Sequence, residues 1–136
     1  MDYPVRINES LPIEEVLSLY REAGWFAPDD PAHELNTMLK NSFAVAAAFD
    51  GPHIIGFARA LSDGVSDAYI LDVVVSGKYR KQGIAKKIVT ALTAYLSTFG
   101  IDWIVCIGVQ GTEKLYTGAG GIPLEGHTPF RFQTPE

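Results

Sequence analysis

Apolar positions recur along this chain with two different periods, and the switches between them mark its elements. Ile13, Val16, Leu17 and Tyr20 stand at helical spacing behind Pro12, and Gly24 follows as a stop, which predicts a helix over 12–23. A second helix over about 31–40 starts at Asp30-Pro31, read as N-cap and first helical residue, and turns Leu35, Met38 and Leu39 inward. Ahead of both, Met1 to Asn8 alternates loosely and reads as a short first strand. Ser42 to Phe49 and His53 to Leu61 are apolar runs on either side of Asp50-Gly51, a hairpin signal. Ser62-Asp63-Gly64 then turns the chain into Ala68 to Val75, so three antiparallel strands are expected in a meander.

The helical period returns at residue 84. Ile84, Ile88, Leu92, Tyr95, Leu96 and Phe99 share one face of a long helix that Gly100 stops, with Lys86, Lys87, Thr90, Thr93 and Ser97 elsewhere. Trp103 to Val109 is a continuous apolar strand, and strand, helix, strand in this order favours a right-handed crossover with parallel pairing. Thr112 to Tyr116 predicts a short helix running into Gly118-Ala119-Gly120-Gly121. Ile122 to Leu124 and Phe130 to Phe132 predict a closing pair of strands around Glu125-Gly126-His127. With no repeat, linker or low-complexity stretch, the expectation is a single α+β domain over 1–136, its central sheet mostly antiparallel and flanked by helices.

Composition narrows the chemistry. Hydrophobic residues make up 47% and charged residues 20%, a globular balance. The net charge of −5 argues against a nucleic-acid surface and suits a cationic small molecule or a basic peptide. Cys106, the one cysteine, has no internal disulfide partner, and within Ile104-Val105-Cys106-Ile107 it reads as a buried structural thiol rather than a nucleophile. Neither a basic-then-apolar N-terminus nor an apolar run of about 18 residues is present, so no signal peptide or membrane span is expected and the cytoplasm is the expected location. His33, His53 and His127 lack ligand spacing, which leaves no expected metal site, and no G-x-S-x-G signature supports a serine nucleophile.

The stretch Arg80-Lys81-Gln82-Gly83-Ile84-Ala85 carries the clearest chemistry, because it joins the strand ending at Val75 to the long helix. Helix starts leave unpaired backbone N–H groups that favour an anion, so this is a phosphate cradle in outline. It lacks the Gly-Lys-Ser/Thr ending of a P-loop, and G-x-G-x-x-G occurs nowhere in the chain. What it does carry is R-x-x-G-x-A after Ile70-Leu71-Asp72-Val73-Val74-Val75. This resembles the acyl-coenzyme A pyrophosphate loop of the GNAT superfamily of N-acetyltransferases, written Q/R-x-x-G-x-G/A, and the resemblance covers roughly residues 40–122.

The resemblance implies a GNAT-like acyl-CoA N-acyltransferase fold, acetyl-CoA as cosubstrate, an amine or peptide amine as acceptor, and direct transfer in a ternary complex. Arg80, Lys81, Gln82, Gly83, Ile84 and Ala85 would hold the pyrophosphate, with Lys81 equally readable as a solvated lysine. The pantetheine arm would bond to the main chain of Val73, Val74 and Val75, with the Val73 N–H polarising the carbonyl. Tyr116 resembles the tyrosine that protonates the leaving thiolate, against the alternative of a core tyrosine; Gly121 stands where the family's pattern has an aromatic. An alkylamine of pKa about 10.4 is less than ~0.1% neutral at pH 7, so a base helps, and Asp72 among Leu71, Val73 and Val74 is the candidate. A structural ion pair with Arg59 is the equal alternative for Asp72. Trp25 and Phe26 either cover the core or, with Glu34, wall the acceptor site. Many such domains dimerise through their last strands, which makes a homodimer possible, and a non-catalytic acyl-CoA-binding or regulatory module on the same fold is the rival function.

Overall fold

Alternating small and large apolar residues give the central strands two dry faces, and helices cover both. The computed structural model describes residues 2–135. Along the chain come β1 (Val5–Ile7), α1 (Ile13–Glu22), α2 (Ala32–Lys40), β2 (Ala44–Asp50), β3 (His53–Ser62), β4 (Asp67–Val75), a 3-10 turn (Gly77–Tyr79), α3 (Ile84–Ser97), β5 (Trp103–Cys106) and α4 (Glu113–Gly118). The five strands lie in chain order, antiparallel from β1 to β4, with β5 parallel to β4. No helix among the described residues is long and apolar enough to cross a membrane.

Under α3 the sheet is floored with small side chains, Ala44, Ala46, Ala48, Ala58 and Ala60, against which Ile84, Ile88, Leu92 and Leu96 are buried. Gly56 belongs to the same floor, since a Cβ there would stand 2.8 Å from the Ile88 Cδ1. The helix therefore lies close against β2 and β3. On the opposite face Val16, Leu17 and Tyr20 of α1 and Leu35 of α2 close over Ala47, Phe49, Phe57 and Val74. These packed layers supply most of the stabilisation, at roughly 25 cal/mol per Å² of apolar surface removed from water.

Several expectations shift in position. Met1 lies outside the described residues, and the first strand is confined to Val5–Ile7. Asp30 does not cap α2: its carboxylate accepts the Ala27 N–H at 2.7 Å, and Pro31 takes the N-cap position. Phe99 lies beyond the end of α3, 46% exposed, with its ring edge-on to Phe43 and Tyr95 rather than in the core. Cys106 is half-buried rather than buried.

Two expectations about the last third are corrected. The strand foreseen over Trp103–Val109 stops at Cys106, because β4 turns away from it after the pair Ile70–Cys106 and leaves Ile107 to Val109 without a partner. Ile122–Leu124 and Phe130–Phe132 form no strand, and Phe130 and Phe132 are 77% and 86% exposed. Prolines 123 and 129 stand inside or against these three-residue segments and remove the N–H donors that a ladder would need.

Candidate active site

A bulge in β4 opens the site. Phe57 faces Val74 and Arg59 faces Leu71, so two steps along β3 match three along β4, and Asp72 takes up the extra residue at φ +57°. Just before the bulge, pairing with β5 ends, and β4 runs on to Val75 without a strand on that side among the described residues. Its edge there is free for another extended chain.

Asp72 is held from two directions. Its Oδ2 accepts Arg59 Nε at 2.7 Å and the Tyr20 hydroxyl at 2.8 Å, and the Arg59 and Asp72 side chains are 12% and 23% exposed. The ion pair with Arg59, one of the two sequence readings, is thus formed; Oδ1 takes no hydrogen bond among the described residues. Burial first, and then the Asp72 charge, push the Tyr20 phenol far above its ordinary pKa, so Tyr20 is a permanent donor. Trp25 and Phe26 set their rings edge-on against that of Tyr20, at 5.3 and 5.7 Å between centroids. Phe26 is half-buried and Trp25 is 45% exposed, so this pair both covers Tyr20 and presents an aromatic surface.

From Val75 the chain passes through the 3-10 turn into the glycine-bearing loop. Lys81 and Gly83 both have positive φ, +64° and +76°, and Gly83 is the N-cap of α3. No side chain caps the helix, and the amides of Gln82, Gly83, Ile84 and Ala85 have no acceptor among the described residues. A Cβ on Gly83 would meet nothing within 4 Å, so the backbone here faces open space. Arg80 folds back: its Nε donates to the Val75 carbonyl at 3.3 Å, and its Nη2 stands 3.5 Å from Glu22 Oε2. The stem of Lys86 passes beside Gly118, between α3 and α4.

Tyr116 stands on α4 beside Cys106 and Tyr69, where β4 and β5 part, and its hydroxyl has no partner among the described residues. Burial, and after it the neighbouring Cys106 and Tyr69, raise its pKa, so the phenol keeps its proton at neutral pH. The ring can approach β5 because residue 108 is glycine: a Cβ would lie 2.9 Å from Thr112 Oγ1 and 3.2 Å from Tyr116 Cδ2. Gly121 has a comparable reason, since a Cβ there would sit 2.8 Å from the Tyr116 carbonyl oxygen.

The sequence pattern of the acetyltransferase (GNAT) family matches residues 11–119, from α1 through α4. The chain belongs to the GNAT acetyltransferase family. Among its relatives is a Glycine max protein named histone acetyltransferase TAP1, 32% identical over an alignment of 119 positions that covers 79% of this chain and 51% of that one. The chain spans 44% to 63% of the length of three curated relatives that it matches. A GNAT-family acetyltransferase from Streptococcus pneumoniae superposes with a TM-score of 0.80 at 22% identity, covering 99% of this chain and 100% of that one. AAC(6′)-Iy, solved with the bisubstrate analogue CoA-S-monomethyl-acetylneamine, superposes at 0.77 with 17% identity, covering 98% and 100%. At these identities the two structures establish the GNAT fold.

On this GNAT fold the cofactor-binding and catalytic candidates lie on β4, the loop after it and α4. Val73, Val74 and Val75 form the open end of β4, Arg80 to Ala85 follow directly, and Asp72 and Tyr116 flank the place where β4 and β5 part. Tyr20, Glu22 and Gly108 went unread as site residues. Tyr20 was counted as helix core, although a hydroxyl on an inward face demands a partner. Gly108, a glycine in an apolar run, is a recognised sign of close approach. Glu22 left no signal in the sequence.

Proposed function

We propose that this protein is an acetyl-CoA-dependent N-acetyltransferase that passes the acetyl group directly to an amine within a ternary complex. The observation that carries this reading is the divergence of β4 from β5, which leaves an open strand edge leading straight into a loop of unpaired amides. An extended acyl-pantetheine arm ending in a pyrophosphate matches that shape. Acetyltransferases of the family use acetyl-CoA. Here Val73, Val74 and Val75 would pair with the arm, and Arg80, Lys81, Gln82, Gly83, Ile84 and Ala85 would hold the pyrophosphate, with room left by the missing Cβ of Gly83.

In this mechanism the neutral amine nitrogen attacks the thioester carbonyl, whose oxygen meets the Val73 N–H. The proton lost by nitrogen passes to Asp72, directly or through water, by way of the Oδ1 that Arg59 and Tyr20 leave free. As the carbon–sulfur bond breaks, Tyr116 gives its proton to the departing sulfur. Trp25 and Phe26 would border the acceptor. We place the reaction within one acetyltransferase domain, in the cytoplasm. The exposed Phe130 and Phe132 and the unpartnered outer edge of β5 support a homodimer.

Thiol release from acetyl-CoA, followed over a panel of polyamines, aminoglycosides, amino acids, arylalkylamines and peptide N-termini, tests the proposal. Turnover with at least one amine class is expected. Coenzyme binding without release for any amine would replace it with the rival reading of an acyl-CoA-binding module, which the commitment of Asp72 to Arg59 and Tyr20 favours.

A further inference from the structure

Glu22 ends α1, and its carboxylate reaches the start of the phosphate loop. Its Oε2 accepts the Gly77 N–H at 2.6 Å and lies 3.5 Å from Arg80 Nη2. Arg80 is at the same time drawn across the end of β4 by its bond to the Val75 carbonyl. The guanidinium nearest the open amides is therefore already engaged, by an acid on one side and by a strand-edge carbonyl on the other. The last turn of α1 also carries Tyr20, bonded to Asp72, so one helix end touches both the bulge and the loop.

We infer that Glu22 acts as a counter-charge that weakens the grip of the loop on coenzyme A and hastens its departure after transfer. The inference rests on the reading of Arg80 to Ala85 as the pyrophosphate site. A pyrophosphate on those amides competes with Glu22 for the Arg80 guanidinium, and it brings negative charge toward the Glu22 carboxylate. Both effects subtract from binding, because the free protein keeps an ion pair that the complex must give up. The two side chains are 60% and 41% exposed, so the effect is screened and amounts to a fewfold change rather than orders of magnitude. Product and substrate share the same pyrophosphate, and release of the product gains speed by the same margin. Glu22 is thus a positioning residue for Arg80, set against affinity and in favour of turnover.

Glu22→Gln tests this, because an amide oxygen still accepts the Gly77 N–H while the charge is gone. Affinity and dissociation rate for coenzyme A are measured at low and high salt, beside the affinity for acetyl-pantetheine, which lacks the pyrophosphate. The expected result is coenzyme A held about two- to tenfold tighter through slower dissociation, acetyl-pantetheine unchanged, and a gap that narrows with salt. In an Arg80→Ala background the gain should shrink. Equal or weaker coenzyme A binding by Glu22→Gln, or an equal gain for acetyl-pantetheine, overturns the inference. If the wild-type protein itself binds coenzyme A no better than pantetheine, it is the pyrophosphate reading that fails.

Discussion

Tyr116 and Asp72 hold opposite roles in the proposed chemistry, one a free donor and the other a bound carboxylate. With its pKa raised by burial, Tyr116 stays protonated through the neutral range, so in the proposed mechanism its hydroxyl would matter only as the thiolate forms. Tyr116→Phe should lower the single-turnover rate by about 10² to 10⁴ while leaving acetyl-CoA affinity unchanged; an unaltered single-turnover rate would assign the proton to water or to the amine. Asp72→Asn should lower kcat at neutral pH and recover part of it as pH approaches the acceptor's own pKa of about 10.4. An unchanged pH profile together with a fall in Tm would instead make the Arg59–Asp72–Tyr20 cluster a purely structural brace for the bulge.

Among the elements, the loop before α3 combines an open backbone with a strained one. Gly83 at φ +76° has open space where a Cβ would go, and so does Gly100 at φ +81°, beyond the other end of the same helix. Valine at either position forces a β-branched residue into the left-handed region, at roughly 1–2 kcal/mol. Gly83→Val and Gly100→Val should therefore lower Tm alike, but only Gly83→Val should weaken coenzyme A, by at least about tenfold in calorimetry. Equal affinity losses in both would mean general destabilisation rather than a cradle. Helix ends and strand runs up to Val75 were legible because periodicity and glycine stops act locally: Gly24 and Gly100 both have the positive φ expected of them. The length of β5 depends on what lies beside it, since it lasts only as long as β4 stays alongside, whereas the closing strands fail on Pro123 and Pro129, which the sequence itself displays.

For the whole molecule, the order of apolar periods carried an α+β chain with its meander and parallel crossover, and the R-x-x-G-x-A loop set in that order carried the resemblance to the GNAT family, since each lies within a short window or in the order of windows. The place of Tyr116 on a short helix after β5 is what the family resemblance implied. Packing of the folded chain settles that Asp72 sits on a bulge between Arg59 and Tyr20, 13 and 52 residues away, and that Glu22 reaches Gly77 across 55 residues. It also decided that Gly108 yields to the Tyr116 ring, and that the last aromatic residues find no strand to join. Local pattern records which face of an element is apolar, whereas a hydrogen bond or a close approach depends on the distance between two elements, and that distance is set by the packing of all the residues between them.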